Sequence, residues 1–116
     1  MNDIEELDKS RVFNIHEIID YEPDSIEIKI VMKKNTGSVT MASFDSGETM
    51  TEKASPFDHF VQAISGTAQI MIRDQSYNLE SGQCIILPAH ISNTIKATSR
   101  FKMISTVIKS GYEEVI

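Results

Sequence analysis

From position 26 onward apolar residues fall at every second place, the period of a strand with one face on a core and the other toward solvent. Ile26, Ile28, Ile30 and Met32 alternate with Glu27, Lys29, Val31 and Lys33, and Lys34, Asn35, Thr36 and Gly37 then supply a turn. The same reading predicts strands over 38–44, 59–65, 67–73, 76–79, 83–87, 91–97 and 101–109. Asp45-Ser46-Gly47, Asp74-Gln75 and Glu80-Ser81-Gly82 punctuate them, and Ser65-Gly66 predicts a tight hairpin. The stretch 48–58 reads as a polar connection. Before Pro23 the period differs: Val12, Ile15, Ile18 and Ile19 stand at helical spacing, enough for one or two turns, behind an acidic opening that reads as a short helix or arm. Short strands at this regular spacing predict an all-β sandwich or barrel.

At 116 residues the chain fits one compact domain. Its 41% hydrophobic and 24% charged residues exclude a disordered chain, and no apolar run is long enough for a membrane helix. The net charge of −6, 11 basic against 17 acidic residues, leaves no basic stripe to collect phosphates, so no nucleic-acid partner and no membrane is expected. The single thiol, Cys84, cannot form an internal bridge and reads as a small buried apolar residue of its strand. With an N-terminus, MNDIEELDKS, that lacks an apolar signal region, this points to a cytoplasmic protein.

Two segments carry more specific information. Residues 47–66 and 82–93 hold glycines at Gly47, Gly66 and Gly82 and a proline at Pro88, in the places set by the two motifs of the cupin superfamily, G-x5-H-x-H-x3,4-E-x6-G and G-x5-P-x-G-x2-H-x3-N. The chain thus resembles the small single-domain cupins of the cupin 2, conserved-barrel, RmlC-like kind, and Ala54-Ser55-Pro56-Phe57-Asp58, Leu87-Pro88-Ala89 and Arg100-Phe101-Lys102-Met103 strengthen the likeness. The resemblance implies one cupin domain over 1–116: an arm and short helical turn over 1–22, then a double-stranded β-helix or jelly-roll barrel over 26–109.

The resemblance also places the family's metal ligands. Its two first-motif histidines fall on Lys53 and Ser55, its glutamate on His59 and its second-motif histidine on Asn93. One imidazole, a weak amide and a cationic amine fall short of the three strong donors that a catalytic zinc or iron site needs, so no metal and no cofactor is expected. Strand parity puts His59 on one face with Val61 and Ala63, and Asn93 with Ile95 and Ala97. In the cupin register His59 and Asn93 then point into the barrel beside Met103, with Lys53 and Ser55 nearer the rim. His59 reads either as a ligand-binding group or as a core histidine hydrogen-bonded to Asn93 or to a backbone carbonyl. Lys53 reads as a solvated loop residue, Asp58 as the residue that fixes the loop after Pro56, and His90, at a turn position where the motif has glycine, as a rim residue. A displaced metal site between His59 and His90 stays open as an alternative.

The function expected from these residues is a metal-free cupin that holds a small organic ligand through His59, Asn93, Lys53, Ser55 and Met103. A homodimer is expected because the last strand is apolar on both faces, with Phe101, Met103 and Val107 alternating with Ile104 and Ile108. The alternatives are a metal-independent isomerase or epimerase with His59 as its acid/base, a metal-dependent oxygenase or isomerase with an atypical site, and a non-catalytic oligomerisation module. Tyr77 is the nearest tyrosine in sequence to the pocket strands.

Overall fold

A computed structural model describes residues 6–109; the acidic opening 1–5 and the tail 110–116, which the sequence assigns to the arm and to the end of the chain, lie outside the described residues. Nine strands form: β1 (Ile26–Lys34), β2 (Gly37–Phe44), β3 (Thr49–Glu52), β4 (His59–Ser65), β5 (Thr67–Ile72), β6 (Gln75–Glu80), β7 (Cys84–Leu87), β8 (Asn93–Ala97) and β9 (Phe101–Ile108). They pair antiparallel in a five-stranded sheet, ordered β1-β2-β9-β4-β7, and a four-stranded sheet, ordered β3-β8-β5-β6. The chain passes repeatedly between the sheets and winds them into a double-stranded β-helix, the all-β barrel that the period-two pattern predicts.

Register decides what each sheet turns inward. Across the five-stranded sheet Ile28, Ala42, Met103 and Ala63 stand in one row, and Ser38, Val107, His59 and Leu87 in another. Across the facing sheet Met50, Ile95 and Ile70 form a row, and Glu52, Asn93 and Ile72 the next. Apolar members of these rows make the core: Phe44, Val61, Ile70, Ile95 and Phe101 are fully buried, and Phe44 meets Phe101 edge to face with centroids 5.6 Å apart. The aromatic pair fills one end of the barrel. The rows holding His59 and Asn93 lie toward the other end.

Four features depart from the sequence reading. The connection read as polar over 48–58 contains β3, whose four residues are too few for alternation to stand out. Gly66 closes no hairpin, because β4 and β5 belong to different sheets; the chain crosses between them there. A bulge at Val31 shifts the β1 register between Ile30 and Met32, so Met32 pairs with Val39 and faces outward, away from the side that Ile26, Ile28 and Ile30 share. Helical spacing at Val12–Ile19 gives no helix but one turn, in which the Glu17 N–H donates to the Asn14 carbonyl at 3.0 Å, while Val12 is 98% exposed.

That N-terminal segment is an arm laid on the outer face of the larger sheet. Buried Lys102 donates from Nζ to the His16 carbonyl at 2.7 Å, Ser43 Oγ donates to the Asp20 carbonyl at 2.7 Å, and the Tyr21 hydroxyl meets Ser65 Oγ at 2.9 Å. The Lys102 ammonium also lies 4.8 Å from the Tyr21 ring centroid. Ile19 on this strap is buried, as is Met41 on the outward face of β2, and neither belongs to the barrel core. Cys84 is exposed where a buried residue was expected, because β7 is the edge strand of its sheet and Cys84 pairs with outward-facing Gln62.

Candidate functional site

Two loops meet at the open end and set the site. The Asp58 carboxylate accepts the Ala89 N–H at 2.7 Å, and the Ser55 carbonyl accepts the His90 N–H at 2.6 Å, so the segment before β4 is tied to the turn after β7. His90 takes φ +68° there, the left-handed conformation that explains why the motif favours glycine at this place. Between these ties Ser55 forms a local turn: its Oγ accepts the Phe57 N–H at 3.1 Å and lies 3.4 Å from His59 Nε2, the long end of hydrogen-bonding range. His59 is thereby held against the barrel wall by a hydroxyl rather than by Asn93.

A cavity of about 450 Å³ opens in front of this pair. Ile28, Ala42, Met50, Pro56, Phe57, Met103 and Val107 supply its apolar walls, and Ser38, Thr40, Ser55, Glu52, His59, Ser105 and the cationic Lys109 its polar groups. Behind Ser55, Phe57 and His59, which border both spaces, a crevice of about 10 Å³ runs between Lys53, Leu87, Pro88, Ile91 and Asn93. Of the residues singled out from sequence, His59, Ser55 and Met103 therefore share the cavity, while Asn93 and exposed Lys53 line the crevice with Ser55 and His59. His90 and Tyr77 line neither space; both are exposed.

Asn93 is the electrostatic oddity. It is only 7% exposed, and its Oδ1 is a buried acceptor with no hydrogen-bond partner. Its Cα partner on β3 is Glu52, so a carboxylate stands beside it in the same inward row. Glu52 is the site residue that sequence reasoning missed; its parity with Met50 over 49–52 was the available signal. These donors do not fit the metal that the motif positions imply. One imidazole, one hydroxyl, one amide and an ammonium provide too few strong ligands, and among the described residues no group of three or more His, Cys, Asp or Glu side chains is placed to hold an ion.

Two facing antiparallel sheets wound as a double-stranded β-helix, open at one end with inward groups from β4 and β8, define the cupin barrel. The chain is by fold a small cupin. It is similar over 96% of its length to 97% of a conserved protein of unknown function from Streptococcus pyogenes, at 27% identity and a TM-score of 0.85. It is also similar over 90% of its length to 96% of a cupin superfamily protein from Desulfitobacterium hafniense, at 22% identity and a TM-score of 0.83. A cupin 2 conserved barrel domain protein from Leptotrichia buccalis matches 84% of the chain at 28% identity and a TM-score of 0.78, but the chain spans only 47% of that protein. No family model and no curated protein matches the chain.

Proposed function

We propose that this chain is a metal-free cytoplasmic cupin that binds a small organic molecule in the open end of its barrel, and that it does so as a homodimer. The observation that carries the binding reading is the cavity of about 450 Å³, with largely apolar walls and the Ser55–His59 pair set into one side. That size lies within the range of small-molecule sites, and a few fixed polar groups among apolar walls are how such sites combine affinity with orientation. Apolar burial against Met50, Phe57 and Met103 supplies most of the binding energy, at about 25 cal/mol per Å² removed from water. Ser55 and His59 orient the guest. The donor set argues against a resident ion, and among the described residues no helix is long and apolar enough to cross a membrane.

A thermal-shift screen of organic acids, sugars and alcohols tests this reading. Compounds that raise the melting temperature of the wild type are expected to lose that effect in His59→Ala. An unaltered shift in the variant would remove His59 from the site, and a stoichiometric transition metal in protein purified without chelator would overturn the metal-free claim.

A second reading, proton transfer by His59 as acid/base, is favoured by one observation. Glu52 lines the same cavity, so an imidazole and a carboxylate face a common guest. The fold hosts at least one enzyme, since a salicylate 1,2-dioxygenase mutant from Pseudoaminobacter salicylatoxidans shares it at 13% identity. Fold alone carries no activity across that distance.

A further inference from the structure

Resting on the binding reading above, we infer the class of the ligand: an apolar α-amino acid, held by both of its charges at the mouth of the barrel with its side chain on the apolar floor. The mouth carries one carboxylate and one ammonium on facing sheets. Glu52 ends β3 of the four-stranded sheet. Lys109 follows β9 of the five-stranded sheet, where its N–H donates to the Thr36 carbonyl at 2.6 Å and carries the β2–β9 ladder past Ile108. Both residues line the same cavity, whereas Lys53, next to Glu52 in sequence, lines the crevice instead. Among the described residues the ion pairs lie elsewhere, at Asp8–Arg11, Glu6–Lys34 and Asp45–Arg100, so Glu52 and Lys109 face the cavity without an ionic partner.

Register separates this charged rim from the apolar floor. Val107, His59 and Ser38 share an inward row, and Met103, Ala42 and Ile28 share a deeper one; Lys109 stands beyond Val107, toward the open end. On the facing sheet Met50 shares the parity of Glu52 and lies toward the floor. A guest therefore meets Ile28, Ala42, Met50 and Met103 below and two opposite charges above. A lone carboxylate head would pair with Lys109 but bring like charge to Glu52, and a lone ammonium would do the reverse. A zwitterion answers both. The apolar floor then chooses among zwitterions. A chain charged at its two ends would span the rim and leave the floor to water, whereas an α-amino acid keeps both charges at one end and buries its side chain below. His59, on the strand beside β9 and one row below Lys109, lies on the carboxylate's side of the mouth.

NMR titration of the full chain at low ionic strength tests this with four probes: L-leucine, its isomer 6-aminohexanoate, 4-methylpentanoate, which lacks the amine, and 3-methylbutylamine, which lacks the carboxylate. L-Leucine is expected to bind about tenfold more tightly than each of the others, the effect of one charge-assisted hydrogen bond. Lys109→Gln is expected to weaken L-leucine and 4-methylpentanoate and leave 3-methylbutylamine no weaker. Glu52→Gln is expected to weaken L-leucine and the amine and leave the acid no weaker. Both residues lie on the rim, outside the buried core, so both variants are expected to keep the wild-type melting temperature. Equal binding of L-leucine and either singly charged probe by the wild type would overturn the assignment, as would tighter binding of 6-aminohexanoate. Folded variants that bind L-leucine as the wild type does would overturn it too. In each of these cases the binding reading stands if His59-dependent ligands emerge from the wider screen. Silence from all four probes removes the amino acid, and silence from that screen as well would sink both.

Discussion

Gly47 and Gly66 both hold positive φ, +88° and +79°, yet a methyl group meets different surroundings at the two places. A Cβ on Gly47 would find open space, while one on Gly66 would lie 1.7 Å from the Arg100 carbonyl oxygen, inside the backbone of the turn before β9. Gly47→Ala therefore costs only its left-handed backbone, about 1 kcal/mol. Gly66→Ala adds a backbone collision and is expected to cost about 3 kcal/mol or more, lowering the melting temperature by about 10 °C or more against a few degrees for Gly47→Ala. Equal losses in the two variants would show that the crossing relaxes around the methyl group. Sequence placed both glycines in turns but could not tell a hairpin from a crossing, because the reason for Gly66 is a neighbour 34 positions away. The inward aim of His59 was legible, since Val61 and Ala63 share its parity. The orphaned state of Asn93 Oδ1 was not, because an unmade hydrogen bond leaves no mark on local pattern.

At the scale of elements, the turn between β2 and β3 gathers three separate segments through one carboxylate. Asp45 accepts the Asp24 N–H at 2.8 Å, the Arg100 guanidinium at 3.1 Å and its neighbour Ser46 N–H at 2.9 Å. The Asp24 backbone bond, then the Arg100 bond, then the Ser46 bond hold its carboxyl below the ordinary value of 3.8. A carboxyl depressed by folding stabilises the native state above its unfolded pKa and loses that contribution as pH falls through its folded one. Asp45→Asn is expected to melt below the wild type at pH 7, with the gap closing as pH drops beneath the ordinary carboxylate range. A gap that stays constant down to pH 2 would mean that the charge is irrelevant and only hydrogen-bond geometry matters. The turn itself was legible as Asp45-Ser46-Gly47; its partners were not, since Asp24 and Arg100 reach it only through the fold. Bulges escape for a related reason: the one at Val31 leaves Ile26, Ile28 and Ile30 in phase, and only pairing with Val39 shows that Met32 has changed sides. In the arm, four apolar residues at helical spacing form no helix; the sheet instead takes the backbone carbonyls of Asp20 and His16, through Ser43 and Lys102.

At the scale of the whole molecule the unanswered surface is the outer face of the five-stranded sheet. The arm covers the end near Ser43 and Lys102, but beyond it the register places Met32, Val39, Thr106, Phe60 and Ile86 in one row across all five strands. Ile86 is 61% exposed and Ile108, on the next outward position of β9, 68% exposed. Isolated exposed apolar residues need no explanation, but a continuous row across a flat sheet face is the kind of surface that protein contacts cover. A row that runs from one edge to the other suits a two-fold contact, in which each copy lays the same strip against its partner. Burial of about 800 Å² per copy would make such a pair stable. Light scattering is expected to give twice the chain mass at micromolar concentration. Ile86→Glu, which puts a charge in the strip without touching the inward core, is expected to weaken association by about thirtyfold, or ~2 kcal/mol, with the far-ultraviolet circular dichroism unchanged. A wild type that scatters as a single chain would remove the dimer, and with it any need for the outer apolar row to be covered by a copy of itself; the cavity on the inner face of the same sheet, built from residues of one chain, would keep its walls.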